Sequence, residues 1–193
     1  MARPRQFDET AALEAALACF WNHGYEATSV RDLAENMGLS APSLYNAYGD
    51  KHALFVQALE HYLNRSMRER IERLQNTLPP KAAVCEFIEE IIDHSVNDRQ
   101  RRGCFLVNSA LEIAPHDKKL GGLIADRLAE LETFFATSIR KAQTEGTVPR
   151  QRAAKDLARL LLGLVLGIRV LARVRPERAL LQSLVRPALA LLD

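Results

Sequence analysis

Between Ser40 and Lys51 the chain reads SAPSLYNAYGDK, a run of hydroxyls, one amide, two tyrosines and a lysine. Ser43, Tyr45 and Asn46 can offer hydrogen bonds to base edges or phosphates, and Lys51 suits a phosphate. Arg31, nine residues earlier, could take the edge of a guanine with two parallel bonds. Ser29 and Ser40, each at the start of an apolar-periodic stretch, join this set. Ala2-Arg3-Pro4-Arg5 forms a short basic arm, and arms carrying Arg3 and Arg5 in this way run along the backbone or in the minor groove. The competing reading is a plain helical corner with Tyr45 and Tyr48 half-buried in its core.

A second chemical candidate is Cys104. It follows Arg99, Arg101, Arg102 and Gly103 and opens an apolar helix. Nearby cations and a helix N-terminus both favour the thiolate. The alternative is a small buried cysteine. Cys19 and Cys85 fall within amphipathic stretches and read as packing. No CxxC pair and no metal-ligand spacing among the five histidines is present, so neither a disulfide framework nor a metal or other cofactor is expected. A glycine-rich phosphate loop, a paired-carboxylate arrangement and a nucleophile motif are also missing, which argues against an enzyme.

These residues need elements to hold them. Apolar residues make up 48% of the 193, mostly Leu and Ala, and no alternating strand pattern occurs. The expected fold class is all-α, with about nine helices. Leu13, Ala16, Leu17 and Phe20 mark the first helix, and Val30, Leu33, Ala34 and Met37 the second. Ser29 with Asp32 predicts a capping box, and Gly38 a stop. Ser40 then caps a helix of about two turns, with Pro42 in its first turn and Gly49 at its end. Two short helices joined by three residues give a helix-turn-helix, whose second helix can enter the DNA major groove. Asp50 caps a long fourth helix that closes at Leu78-Pro79-Pro80. Further helices follow at Lys81 to Val96, Cys104 to Ala114, Lys118 to Thr144, Arg152 to Arg173 and Pro176 to Leu192.

Charge weighs the other way. Residues 1–55 carry four basic side chains (Arg3, Arg5, Arg31, Lys51) against seven acidic ones (Asp8, Glu9, Glu14, Glu26, Asp32, Glu35, Asp50). A DNA reader of that composition must gather its cations on one face. The alternative is a helical protein-interaction module without DNA binding.

From Phe7 to Leu54 the chain resembles the DNA-binding domain of the TetR/AcrR family of bacterial repressors. Gly24-Tyr25, Thr28 to Ala34, Gly38-Leu39-Ser40, Leu44-Tyr45 and Tyr48 to Lys51 carry the likeness. The resemblance implies a homodimeric, ligand-responsive transcriptional regulator, usually a repressor, acting on a double-stranded DNA operator. It implies Arg31, Ala41, Pro42, Ser43, Tyr45, Asn46, Tyr48 and Lys51 as the DNA-facing set. Ala47 departs from it, since a larger polar or aromatic group is common there. Residues 1–50 would be the DNA-binding domain, the helix over 51–78 the link, and 81–193 the effector-binding and dimerisation domain.

The segment RGCFLVNSALE also resembles NemR-like members, which sense electrophiles or oxidants through a cysteine at the position of Cys104. The effector itself is a small molecule of unspecified identity. The apolar faces of the middle helices suggest a lining of Phe87, Ile91, Phe105, Leu106, Leu131, Phe134 and Phe135, with His94, Asn108, Glu112 and Arg169 as polar neighbours. For each, ordinary core or surface is the rival reading. The leucine-rich stretch Leu157 to Leu192 carries more apolar surface than one stripe, and its GLVLG at Gly163–Gly167 fits either a buried helix or a dimer face. A two-fold interface through the last two helices would absorb it. With no signal sequence at Met1 and an apolar run interrupted by Arg159 and Arg169, a cytoplasmic protein without a membrane span is expected.

Overall fold

The computed structural model describes residues 8–193, all of whose regular elements are helices. The arm residues Arg3 and Arg5 lie outside the described residues. Helix α1 (Glu9–His23) starts on Asp8, whose carboxylate accepts the Thr10 and Ala11 N–H groups. It buries Ala12, Ala16, Leu17, Cys19 and Phe20. Helix α2 (Val30–Met37) has the expected capping box: Ser29 accepts from Asp32 N–H, and Asp32 accepts from Ser29 N–H at 2.9 Å. Gly38 ends it with φ +63°, a left-handed residue that only glycine adopts without strain. Two residues later Ser40 caps α3 (Ala41–Tyr48), accepting from Ser43 N–H. Leu44 and Leu33, both fully buried, join the pair to the core that α1 also lines.

Asp50 caps α4 (Lys51–Leu63), which passes through a π-helical turn (Asn64–Arg68) into α5 (Glu69–Thr77). The backbone stays helical throughout, so the expected single long rod exists, but with one turn widened by a residue. No proline or glycine in 64–68 announces it. Arg68 lies inside that turn and bonds Glu60, Asn64 and Glu130.

Helices α6 (Pro80–Asn97), α7 (Phe105–Glu112) and α8 (Lys118–Thr144) follow, then α9 (Ala154–Leu171) and α10 (Arg178–Leu189) with a closing 3-10 turn (Ala190–Leu192). Pro187 sits within α10, and the last turns tighten after it. One apolar core runs from Ala12 to Leu192. In its lower half Phe87, Phe134 and Phe135 meet ring to ring, with centroids 5.3 to 5.5 Å apart. Among the described residues no helix is long and apolar enough to cross a membrane.

Besides the continuous run of α4, ring and polar contacts tie the N-terminal region to the rest, among them Trp21 of α1 against Phe105 of α7, with centroids 6.0 Å apart. The Glu26 N–H donates to Glu112 Oε1 at 3.1 Å, joining the α1–α2 turn to α7. His52, in the first turn of α4, lies 3.3 Å from Asp117, the N-cap of α8.

Candidate nucleic-acid interface and effector region

Helix α3 turns Leu44 and Tyr48 inward, with Ala47 at the margin. Ala41, Pro42, Ser43, Tyr45 and Asn46 are exposed, with Tyr45 at 51%. Tyr48 is the correction within the DNA-facing set: its ring is only 3% exposed and supports the helix from behind. The reason is phase, because position 48 falls one helical turn after Leu44 on the buried face. Ala47 is half-buried against the core, so the small side chain at this departure from the family pattern has a packing use.

The polar groups of this face are held, not loose. The Ser43 and Ser40 hydroxyls are 2.9 Å apart. Ser29 donates its hydroxyl to Asp32 at 2.7 Å. Arg31 is 85% exposed, and its Nε donates to Glu35 at 2.9 Å on the next turn of α2. Lys51 sits 4.4 Å over the ring of Tyr25 and reaches the Glu26 carbonyl at 3.4 Å.

The proposed effector lining divides in three. Phe87, Ile91, Leu131, Phe134 and Phe135 are all core, none more than 6% exposed. Phe105, Asn108 and Glu112 line a cleft of about 370 Å³ between α7 and the end of α1, together with Trp21, Tyr25 and Arg173. His94 lines a different cleft beside α1, and Arg169 is buried behind it. Leu106 packs in the core of α7.

Cys104 caps α7 and is half-buried. The buried Tyr62 donates its O–H to Cys104 Sγ at 3.5 Å. Burial first, then the neighbouring Cys104, push the Tyr62 phenol well above its ordinary value, so it stays a donor. Burial also pushes the Cys19 and Cys85 thiols up, in keeping with packing roles.

Sequence reasoning passed over Trp21 and Arg70, and took Arg102 only as a neighbour of Cys104. Arg102 lies 4.3 Å over the Trp21 ring, and Arg70 pairs with Glu90 at 2.9 Å from a nearly buried position. A cation on an otherwise apolar helix face was the available signal for Arg70.

A capped helix pair closed by a left-handed glycine, with a polar, exposed second helix, defines a helix-turn-helix protein. Residues 12–58 match the bacterial regulatory proteins of the tetR family, and residues 80–187 match the tetracyclin repressor-like C-terminal domain. The chain belongs to the TetR family of transcriptional regulators. It is 30% identical over its whole length to the whole of the HTH-type transcriptional regulator YezE of Bacillus subtilis (strain 168). It is 29% identical to the HTH-type transcriptional repressor ComR of Escherichia coli (strain K12), covering 96% of this chain and 88% of that one. Among solved structures it is similar to a cysteine mutant of the TetR family regulator CifR in complex with a 26-base-pair operator DNA. That likeness has a TM-score of 0.87 at 31% identity and covers 99% of this chain and 100% of the other.

Proposed function

We propose that the protein is a repressor that binds an imperfectly palindromic operator as a homodimer and is released by a small molecule or by thiol modification. The observation that supports it best is the α3 face, from Ala41 to Asn46, exposed and polar on a helix fixed at both ends. Ser43, Tyr45 and Asn46 meet bases and phosphates, Arg31 a guanine edge, and Lys51 a phosphate. Ser29, Ser40, Ala41 and Pro42 line the approach.

The homodimer reading rests on α9 and α10. Leu160, Gly163, Gly167 and Val170 are exposed along one side of α9, Val174 just beyond its end, and Leu184 on α10. A methyl group added at Gly163 or Gly167 meets nothing within 4 Å, so these glycines do not serve packing inside one chain. They suit close approach of a second copy. Two α3 helices held about 34 Å apart then reach successive major grooves.

Residues 1–50 form the reading head in this proposal, and 81–193 the body that senses and dimerises. Cys104 is the thiol sensor: it stands at the N-terminus of α7 and its sulfur takes the Tyr62 hydrogen bond, so an adduct there displaces Tyr62 of the long helix.

Selecting DNA bound from a random pool tests the core of this reading. A palindrome bound by a dimer, with affinity falling steeply as salt rises, supports it. A protein that binds no duplex even in dilute buffer is instead an interaction module. For the thiol, alkylation should release the operator from the native protein and leave Cys104→Ser bound. Equal release from both removes Cys104 from the mechanism.

A further inference from the structure

The cleft beside α1 holds about 400 Å³ and has walls from both parts of the chain. Leu17 and Trp21 come from α1, Tyr62 and Arg70 from the long helix, His94 from α6, and Arg102 from the loop before α7. It differs from the aromatic core around Phe87 and from the cleft beneath Glu112.

Its walls are short of acceptors. Trp21 Nε1, Arg70 Nη1 and Arg102 Nε are buried N–H donors with no hydrogen-bond partner among the described residues. Folded proteins pair nearly all such donors, so three on one cleft is unusual.

Three of the nearby carboxylates are already engaged. Glu90 is shared between Arg70 and Arg73. Asp98 accepts the backbone N–H groups of Gln100, Arg102 and Gly103, and stays 3.7 Å from Arg102 Nε, too far for a hydrogen bond. Glu14, also on the cleft, is held by His61 and Arg65, while Glu69 is a further acidic wall residue.

Behind the wall Arg169 is 5% exposed and donates to Ser95 Oγ at 3.2 Å and His94 Nδ1 at 3.4 Å, both uncharged acceptors. A buried cation facing neutral partners is strongly unfavourable unless an anion comes near.

We infer that this cleft binds a small organic anion, a carboxylate on an apolar body, with the carboxylate facing Arg70 and Arg102 and the body against Trp21, Tyr62 and Leu17. Guanidinium forks match carboxylates two bonds at a time, and aromatic walls take the remainder. The inference deepens the ligand-release reading above and rests on it for its consequence. A ligand seated between α1 and the α6–α7 loop favours one pose of α1. Since α1 packs on α2, it thereby favours one pose of the reading head.

The chain holds a single tryptophan, Trp21, which borders this cleft and the one beneath Glu112, so its emission reports binding and the Arg70 variants assign that binding to this cleft. The test titrates the full chain with benzoate, phenylacetate and hexanoate, with their neutral amides, and with inorganic phosphate. At least one carboxylate should change Trp21 emission saturably at millimolar concentration or below, with its amide at least about tenfold weaker. Arg70→Gln should weaken that carboxylate by about tenfold or more, while Arg70→Lys, which keeps the charge and loses the fork, falls between. Helical content and operator affinity without ligand should match the native protein in both variants. Equal response to acids and amides, no response to any of the carboxylates, or unchanged binding in Arg70→Gln overturns the inference. Phosphate binding as tightly as the best carboxylate overturns its apolar half. Operator release is measured alongside. Binding without release sinks ligand control and leaves the anion site. Release that persists in Arg70→Gln sinks the site and leaves ligand control.

Discussion

Asp8, Asp32 and Asp50 each accept backbone N–H groups at a helix start, and Glu14 is paired with His61 and Arg65. Much of the acidic excess of the first 55 residues is thus committed to capping and pairing. Burial pulls Glu14 upward, yet the His61 hydrogen bond and the charges of His61 and Arg65 outweigh it and hold the carboxyl below its usual range. The exposed contacts carry the residue-level predictions. Asn46→Ala should cost about 1–3 kcal/mol of operator affinity and relax specificity at one position, measured by binding to operator variants. Lys51→Ala should weaken all sequences alike and lower the salt slope by about 1. A second prediction concerns His94. Burial first, then Arg169 and Arg70, push its imidazole down, with Arg102 adding and Asp98 opposing. The unfolded chain therefore binds the proton more readily between that lowered value and ~6.5, and stability rises with pH across that window. The melting temperature should drop as pH falls below ~6.5, and His94→Gln should drop less.

Helices with their own punctuation were legible in the sequence. Ser29 with Asp32, Gly38, Ser40 and Asp50 marked α2 to α4 because caps are local chemistry. The π turn at 64–68 was not legible, since it depends on Arg68 reaching Glu60 and Glu130 across the fold. The α3 face was readable apart from Tyr48, whose inward phase is set by packing. The effector region was read least well: apolar periodicity finds buried faces and cannot separate a core from a cleft wall. Phe135 is fully buried among rings, so Phe135→Ala should cost about 3–5 kcal/mol in denaturant unfolding. At Gly38 a methyl group would meet nothing, so Gly38→Ala tests backbone strain alone. A loss of about 1–2 kcal/mol is expected, with weaker operator binding as the turn shifts α3.

At the scale of the whole molecule, α9 and α10 decide whether one reading head acts or two. Leu160→Glu with Val170→Glu should leave the chain helical, shift it to a monomer in sedimentation, and abolish tight binding to a palindrome while leaving weak half-site binding. The bonds from Glu112 to the Glu26 N–H and from Asp117 to His52 have a further bearing, on engineering. A chimaera that grafts residues 8–58 onto another repressor's trunk would inherit the DNA preference but not the struts that brace it. Unless acidic side chains matching Glu112 and Asp117 travel with the graft, the hybrid should still recognise its site and yet fail to obey its inducer.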